Sequence, residues 1–469
     1  MKMKHLRFKV LIGITICLIA FCSIGNAQTP PATIDAQMQQ WRDAKFGLFL
    51  HWGLYSQAAG DWKGKPYKGN EHFMIYEKLS LKEYGSLAKD FNPTSFDAGK
   101  WVKAAKQAGM KYIIITSKHH DGFAMFNSHT NDYNIVKQTP FKRDPLKELA
   151  DSCKAYGMKL GFYYSLGRDW EDPDVATDWP TKGARSNVVD YPNEDAKDFS
   201  KYFERKVKPQ VKQLLSEYGP VSVIWFDTPE RISKPQSEEL YAMIKSLQPN
   251  CIVNSRVGNG LGDFKVSEQQ ITDKTDNQPW ESCITMSKGW GYNNHDTEWK
   301  SPELIVRQLV EVVSKGGNLL LNIGPKGDGT FPPQAIERLK AVGKWMNINS
   351  EAIYGTKPWM VAGEQVSEVT LSSSAIKIDV DNDATSKAIL PDIYFAAKGK
   401  LIYVFARSWK QPAINIKSIS ADKFTVAKVT LPGAKTAVKW EQNKNGLNCS
   451  VPSVLPDEIP VYVFKVQLK

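Results

Sequence analysis

Short apolar runs alternate with amphipathic segments over the first three quarters of the chain. The clearest run covers residues 221–227 and ends in a carboxylate, Asp227, with a Gly-Pro pair before it and a Thr-Pro pair after it. An apolar run of this length between chain-breaking residues is typical of a strand buried in a parallel sheet. The pattern therefore predicts a core strand with an acidic side chain at the point where the strand leaves the core.

Segments with helical periodicity follow most of these runs. Asp144-Pro145 places a capping side chain and a first-turn proline at the start of one segment, and apolar residues recur at helical spacing within residues 237–247. Alternating strands and helices predict parallel strands joined by right-handed crossovers. Residues 33–354 have the length of a (β/α)8 TIM barrel. A doubly wound open sheet is the alternative, but the glycine-rich turn expected after its first strand is missing from the sequence.

After Trp359 the pattern changes to short alternating or β-branched runs separated by Pro, Asp and Gly. Such runs predict a small antiparallel β-sandwich, which would form a C-terminal domain over residues 359–469 after a barrel over residues 28–358. The predicted strands of this sandwich are residues 367–371, 375–380, 401–406, 423–431 and 461–468.

The amino-terminal residues are not expected to belong to either domain. Four basic residues lie among the first nine, residues 10–24 are mostly apolar, and Gly25-Asn26-Ala27 offers small residues for cleavage. This composition is typical of a secretory signal peptide, which we predict to cover residues 1–27. The mature chain is then expected in the periplasm or outside the cell, and we predict no membrane span in it.

Charge and cysteine spacing argue against two kinds of partner. The formal net charge is +11, but the 61 basic residues are scattered among 50 acidic ones without a basic stripe, so no nucleic-acid partner is predicted. The cysteines after the signal region are far apart and lack CxxC spacing, which argues against structural zinc. Export permits disulfides but does not imply any. These cysteines are Cys153, Cys251, Cys283 and Cys449, of which we expect the first two to be buried thiols.

Polar residues mark the ends of the predicted strands. Because the carboxyl ends of barrel strands meet on one face, we expect these side chains to line one pocket. Adjacent strand residues point to opposite faces, so one of His119 and His120 is expected to point into the pocket while the other braces its rim. The candidate residues are His51, His119, His120, Tyr163, Trp225, Asp227 and Arg256, with Glu71 and Glu268 on loops.

Two kinds of chemistry fit this set of residues. Hydrogen-bonding groups between aromatic walls suit a polyhydroxylated sugar, and a pair of carboxylates suits glycoside hydrolysis. His51, His119, His120 and Asp227 could also be ligands in a metal-dependent hydrolase, and the residue types alone leave both interpretations open. A Gly-x-Ser-x-Gly elbow and a P-loop are missing from the sequence, which disfavours esterases and nucleotide hydrolases.

Five motifs, met in this order, resemble the α-L-fucosidases of glycoside hydrolase family 29. They are FGLFLHWG from Phe46, TSKHHDGF from Thr116, YYS from Tyr163, WFD from Trp225 and GGNLLLNIGPKGDG from Gly316. The resemblance extends over residues 41–359. It implies an exo-acting, retaining α-L-fucosidase that removes terminal α-L-fucosyl groups from oligosaccharides or glycoconjugates by double displacement. It also implies a fucosylated glycan as substrate and neither a metal nor an organic cofactor.

The resemblance also implies individual roles. Asp227 matches the nucleophile of the family. The acid/base of the family lies on a variable loop, which residues 262–268 resemble, so Glu268 is the predicted acid/base. Glu281 is the alternative, and Glu298 is a more distant third. The positions that match fucose-binding residues are His51, Glu71, His119, His120, Tyr163, Trp225 and Arg256.

Two positions depart from the family pattern. His72 stands where the family has a tryptophan after the glutamate, here Glu71, so one apolar contact differs. Ser255 stands where the family has an aspartate before the arginine, here Arg256, so the bracing of this arginine is expected to differ. A fucose-binding protein without catalytic activity on the same barrel is the alternative from another class. A replaced nucleophile would favour it, but Asp227 is present.

Overall fold

The computed structural model describes residues 34–272, 278–365, 392–407, 413–450 and 461–469. Both the predicted signal peptide, residues 1–27, and the predicted strands 367–371 and 375–380 lie outside these ranges. The described residues form a parallel barrel followed by two antiparallel sheets, so the predicted fold class is confirmed.

Eight parallel strands form the barrel, and each pairs with the next one along the chain. The first strand also pairs with the eighth. Between the fifth and sixth strands the pairing is reduced to one bridge, Asn254 to Phe264. The strands are β1 Phe46–Leu50, β2 Tyr112–Lys118, β3 Lys159–Ser165, β4 Val223–Asp227, β5 Ile252–Val253, β6 Lys265–Glu268, β7 Trp280–Thr285 and β8 Asn318–Ile323.

Seven longer helices accompany these strands, and capping side chains start several of them. Asp144 caps the helix between β2 and β3 with Pro145 in its first turn, and Gly157 ends that helix in the left-handed conformation. Within the described residues no long helix separates β5 from β6 or β6 from β7, and none of the helices is long and apolar enough to cross a membrane. The helices are α1 Ile34–Ala44, α2 Ala98–Gln107, α3 Pro145–Tyr156, α4 Lys208–Glu217, α5 Lys234–Leu247, α6 Pro302–Ser314 and α7 Pro333–Asn349.

Shorter elements occupy the connections on the carboxyl side of the strands. The loop after β1 carries a small hairpin, Asp61–Trp62 with Lys65–Pro66, and a 3-10 turn at Asn70–His72. A π-helical turn, Phe203–Val207, leads directly into α4, and another 3-10 turn, Ser255–Val257, follows β5. The remaining short helical turns are Leu54–Ala58, Phe73–Tyr76, Leu81–Gly85, Ser86–Lys89, Ile135–Gln138, Glu194–Ala196, Phe199–Tyr202 and Ser350–Ala352.

Two layers of apolar side chains follow from the alternation along the strands. Side chains that point outward pack against the helices in the large core, which also buries Cys153 and Cys251 as expected. All four cysteines after the signal region are free and buried. Side chains that point inward fill the barrel and include Phe49, Tyr112, Tyr163, Trp225 and Cys283. The barrel interior below the strand ends is therefore aromatic.

The C-terminal part forms two antiparallel sheets. One has five strands, in the order Lys357–Glu364, Ile393–Lys398, Leu401–Arg407, Val461–Leu468 and Val426–Thr430, and the other has three, in the order Ala413–Ile416, Gly446–Ser450 and Trp440–Asn443. One face of the five-stranded sheet, which carries Tyr403 and Phe405, packs against the barrel. The other face, which carries Val404 and Phe464, packs against the three-stranded sheet. The strands are β9 Lys357–Glu364, β10 Ile393–Lys398, β11 Leu401–Arg407, β12 Ala413–Ile416, β13 Val426–Thr430, β14 Trp440–Asn443, β15 Gly446–Ser450 and β16 Val461–Leu468.

Candidate active site

The structure brings most of the predicted site residues together at the carboxyl ends of the strands. His51 follows β1, the two histidines follow β2, and Arg256 follows β5. Tyr163, Asp227 and Glu268 lie at or near the ends of β3, β4 and β6. Hydrogen bonds, ion pairs and ring contacts link these side chains to one another.

Asp227 lies at the centre of this group. Its Oδ1 accepts hydrogen bonds from Arg256 Nη1 at 2.6 Å and from the backbone N–H of Thr228 at 2.8 Å. Its Oδ2 accepts a hydrogen bond from the Tyr163 hydroxyl at 2.8 Å and lies 3.7 Å from His120 Nε2. Burial raises the pKa of Asp227, but the charge of Arg256 and the Tyr163 hydroxyl outweigh it and hold the pKa below its usual range. Asp227 is therefore an ionised carboxylate at neutral pH.

Arg256 joins Asp227 to Glu268. Its second terminal nitrogen, Nη2, donates to Glu268 Oε2 at 2.5 Å. The Glu268 side chain is 40% exposed and the Asp227 side chain 15%, so one carboxyl group faces solvent and the other lies deeper. Trp225 lies beneath the guanidinium, whose carbon is 5.1 Å from the ring centroid. Two carboxyl groups at different depths therefore share one cation.

Three buried imidazoles form one wall beside Asp227. His51 Nδ1 lies 2.7 Å from Asn322 Oδ1, and His120 Nδ1 lies 2.6 Å from the Ser165 hydroxyl. His119 stacks on Tyr163, with 5.4 Å between ring centroids. Burial lowers the pKa of His51 to about 4 and lowers the pKa of the other two histidines well below the usual value. Neutral imidazoles can both donate and accept hydrogen bonds, which suits sugar hydroxyl groups.

Glu71 comes from the loop after β1 and is buried. Its Oε2 accepts a hydrogen bond from the backbone N–H of Gly291 at 3.0 Å, and its Oε1 lies 3.2 Å from His72 Nδ1. Burial raises the pKa of Glu71, but the bonds from His72 and Gly291 outweigh it and lower the pKa. His72, which replaces the tryptophan of the family pattern, stacks on His120 with 5.1 Å between ring centroids. An imidazole thus occupies a stacking position at this wall.

Glu281 lies near the amino ends of the strands, whereas the residues described above lie at their carboxyl ends. It is the second residue of β7, and it pairs with Asn318, the first residue of β8. The side chain is fully buried, and its carboxyl group accepts hydrogen bonds from the Tyr112 hydroxyl at 2.6 Å and from Trp225 Nε1 at 3.0 Å. Burial raises its pKa to about 7. The structure therefore places this alternative acid/base below Trp225.

The spacing of the histidines and the position of Arg256 argue against the metal-dependent interpretation. Among the described residues, no group of three or more His, Cys, Asp or Glu side chains could hold a metal ion. The guanidinium of Arg256 occupies one side of the Asp227 carboxylate, and a cation in that position disfavours a second one.

Comparison with protein families shows which family this chain belongs to. The family model described as alpha-L-fucosidase matches residues 25–351, and the model of the alpha-L-fucosidase C-terminal domain matches residues 382–467. This chain belongs to the α-L-fucosidase family. It is therefore a glycoside hydrolase, and a fucosylated glycan is consistent with its site.

Relatives of this fucosidase are similar over most of their length. The tissue alpha-L-fucosidase of Bos taurus is 28% identical over 467 residues, covering 93% of this chain and 91% of the relative. The putative alpha-L-fucosidase of Caenorhabditis elegans is 33% identical over 369 residues, which cover 73% of this chain and 72% of that relative. Among solved structures, alpha-L-fucosidase isoenzyme 1 from Paenibacillus thiaminolyticus matches with a TM-score of 0.79 and 31% identity, covering 93% of this chain and all of that one.

A second solved structure is similar over about two thirds of this chain. The alpha-L-fucosidase from Lactobacillus casei in complex with α-L-fucose product matches with a TM-score of 0.64 and 38% identity. The match covers 67% of this chain and 99% of that chain.

Several residues of this fucosidase site were not among the sequence-based candidates. Asn322 near the end of β8 orients His51, and its Nδ2 donates to the carbonyl oxygen of Trp290 at 2.8 Å. The Trp290 ring lies 4.9 Å from the His51 ring. Arg168 and Glu230 form an ion pair in the loops after β3 and β4. Asn322 could have been found, because it is a polar residue that directly follows the apolar run 319–321, which is the signal that marks Asp227.

Proposed function

We propose that this chain is an exo-acting, retaining α-L-fucosidase that hydrolyses terminal α-L-fucosyl linkages in oligosaccharides or glycoconjugates by double displacement. The observation that carries the proposal is the guanidinium of Arg256, which contacts both Asp227 and Glu268. Retaining glycosidases need their two carboxyl groups roughly 5–5.5 Å apart, whereas inverting enzymes leave room for a water molecule between them. Two carboxyl groups on one guanidinium suit the shorter separation.

In the first step Asp227 attacks the anomeric carbon of the fucosyl group. The bond from the anomeric carbon to the leaving oxygen breaks, and a protonated Glu268 gives its proton to that oxygen. The lowered pKa of Asp227 supports the role of nucleophile, because the group is ionised before the substrate binds. The greater exposure of Glu268 supports the role of acid, because the leaving group must depart toward solvent.

In the second step water hydrolyses the fucosyl ester. Glu268, now a carboxylate, takes one proton from the water, whose oxygen forms a bond to the anomeric carbon. Asp227 leaves as a carboxylate, and both groups return to their initial protonation states.

The fucose ring would be held by the histidine wall and by Glu71. The neutral imidazoles of His51, His119 and His120 supply donors and acceptors at a buried surface. Arg256 would carry one further contact at the edge near the leaving group. A pocket closed by buried side chains on one side suits a terminal sugar, which supports exo-action.

Export is part of the proposal. The predicted signal peptide of residues 1–27 supports a location in the periplasm or outside the cell.

The test compares Asp227→Ala, Glu268→Ala and Glu337→Ala on two substrates: an aryl α-L-fucoside with a good leaving group and a fucosylated oligosaccharide. Asp227→Ala should lose nearly all turnover on both, by a factor of about 10⁴ or more. Glu268→Ala should lose about 10²–10⁴-fold on the oligosaccharide and far less on the aryl fucoside, with azide restoring turnover. Glu337 is an exposed glutamate on α7 and serves as the matched control, with turnover expected at the wild-type level on both substrates.

Four results would contradict the proposal. Substantial turnover by Asp227→Ala would exclude its role as nucleophile. A first-formed product with inverted anomeric configuration, observed by NMR, would exclude double displacement. Loss of wild-type activity after exhaustive chelation would favour the metal-dependent hydrolase, and fucose binding without any turnover would favour a non-catalytic binding protein.

A further inference from the structure

Glu281 is a buried carboxyl group that the proposed chemistry does not use. It lies inside the barrel, where the Tyr112 hydroxyl reaches it from β2 and the indole N–H of Trp225 reaches it from β4. Both donors are neutral groups. Moving a carboxyl group out of water onto neutral donors costs free energy. A buried carboxyl group of this kind is therefore expected to have a role in the contacts that it makes.

The hydrogen bond to Glu281 sets the orientation of the Trp225 indole. Nε1–H is the only polar atom of an indole, and a buried indole N–H needs an acceptor. With its edge bonded to Glu281, the ring stacks on Tyr163, with 5.6 Å between centroids and 22° between planes. The same ring lies 5.1 Å from the guanidinium carbon of Arg256. Rotation of the indole would leave the N–H without its acceptor and would break both ring contacts.

Both neighbours of Trp225 contact the proposed catalytic carboxyl groups. The Tyr163 hydroxyl donates to Asp227 Oδ2 at 2.8 Å. Arg256 donates to Asp227 Oδ1 at 2.6 Å and to Glu268 Oε2 at 2.5 Å. A continuous series of contacts therefore runs from the bottom of the barrel to both carboxyl groups.

We infer that Glu281 is a positioning residue that holds Trp225 in the orientation supporting Tyr163 and Arg256, and through them Asp227 and Glu268. The inference rests on the proposed function and deepens it. It also assigns a role to Glu281 that differs from acid/base catalysis, because the carboxyl group acts at the far edge of the Trp225 ring and transfers no proton to substrate.

Glu281→Ala should lower kcat because both supports of Asp227 lose their fixed geometry. A displacement of the order of 1 Å at a reacting group costs roughly a hundredfold in rate, so we expect a loss of about 10- to 100-fold. The loss should be similar for an aryl α-L-fucoside with a good leaving group and for one with a poor leaving group. Glu281→Gln keeps an acceptor for the Trp225 N–H and should recover most of the lost rate.

Tyr112→Phe provides the matched control. It removes the other hydrogen bond of Glu281 and leaves the bond to Trp225 in place. We expect both this variant and Glu281→Ala to have a lower free energy of unfolding than the wild type. The kcat of Tyr112→Phe should stay within about threefold of the wild-type value. In a Trp225→Phe background, Glu281→Ala should have little further effect on kcat, because the group it positions is gone.

The outcomes separate the possible roles. Dependence on the leaving group, with azide rescue of Glu281→Ala, would show an acid/base role and overturn the inference together with the assignment of Glu268. Equal kcat losses in Tyr112→Phe and Glu281→Ala, or an unchanged kcat in Glu281→Ala, would show a purely structural role. A wild-type protein that releases no fucose would instead overturn the proposed function, independently of any Glu281 variant.

Discussion

Three imidazoles in the wall of this fucosidase pocket remain neutral for a physical reason. His51, His119 and His120 are almost completely buried, and burial disfavours the imidazolium form. An uncharged wall avoids competing with Arg256 for the Asp227 carboxylate. It also makes the folded state sensitive to acid, because unfolding exposes the same imidazoles to protons.

His51 allows this sensitivity to be tested. The pKa is lowered from 6.5 in the unfolded chain to about 4 in the fold. Below pH 6.5 the unfolded chain takes up a proton that the folded chain refuses, so stability falls as pH decreases toward 4. The contribution of His51 to this fall should be about 2 kcal/mol between pH 7 and pH 5.

Urea unfolding of the wild type and of His51→Gln at both pH values measures this contribution. The fall in the free energy of unfolding should be smaller in His51→Gln by about that amount. His129→Gln removes an exposed histidine and should behave like the wild type. An identical pH dependence in His51→Gln and wild type would contradict the prediction.

At the scale of elements, the turn after β4 is conformationally strained. Thr228 directly follows Asp227 and has a φ of 52°, a left-handed conformation that β-branched residues rarely adopt. The N–H of the same residue donates to the Asp227 carboxylate. A Cβ atom on Gly167 would lie 1.9 Å from the Thr228 carbonyl oxygen, so the loop after β3 can pass here only with glycine. Two neighbouring loops therefore share one tight contact beside the proposed nucleophile.

Thr228→Gly should stabilise the protein. Relief of the left-handed strain, together with loss of a buried Thr228 hydroxyl that lacks a hydrogen-bond partner, should outweigh the entropy that glycine adds to the unfolded chain. We expect a gain of about 1 kcal/mol in the free energy of unfolding, measured by urea titration. Gly167→Ala, which adds a Cβ at the same contact, should destabilise the protein instead. A loss of stability in Thr228→Gly would mean that the turn is not strained.

At the scale of the whole molecule, the C-terminal sheet is continuous with the core of the barrel. Tyr394, Tyr403, Phe405 and Val463 belong to the same apolar cluster as the barrel helices. The indole N–H of Trp345 in α7 donates to the carbonyl oxygen of Val461 at 2.9 Å. Because this interface is apolar, we expect the barrel and the sheet to unfold together.

Phe405→Ala tests this coupling. Phe405 is 1% exposed, and its removal should cost about 3–5 kcal/mol. Activity and circular dichroism should then be lost in a single transition at a lower temperature, while kcat well below that transition stays at the wild-type value. Met360→Ala, on β9 of the same sheet and 74% exposed, should change stability by less than about 0.5 kcal/mol. A separate early transition without loss of activity would show two independent units.

Much of the fold follows from local pattern. The apolar run ending at Asp227 and the runs ending near His51, His120 and Tyr163 form strands as predicted, because periodicity and chain-breaking residues act over a few neighbouring positions. The same reasoning places polar side chains at the strand ends on one face of a barrel. Motif order is also local information, and it led to the α-L-fucosidase family that the family models show.

Only the tertiary structure decides which of the polar side chains at and below the strand ends contact one another. Glu268 and Glu281 both lie in short strand segments with mixed neighbours, and nothing near them in sequence distinguishes their depth in the barrel. The register of the strand pairing distinguishes them. Glu268 pairs with Cys283, which is two residues closer than Glu281 to the carboxyl end of β7. The sharing of Arg256, the orientation of Trp225 by Glu281 and the contact between Gly167 and Thr228 likewise join residues on different strands, and long-range packing alone sets such distances.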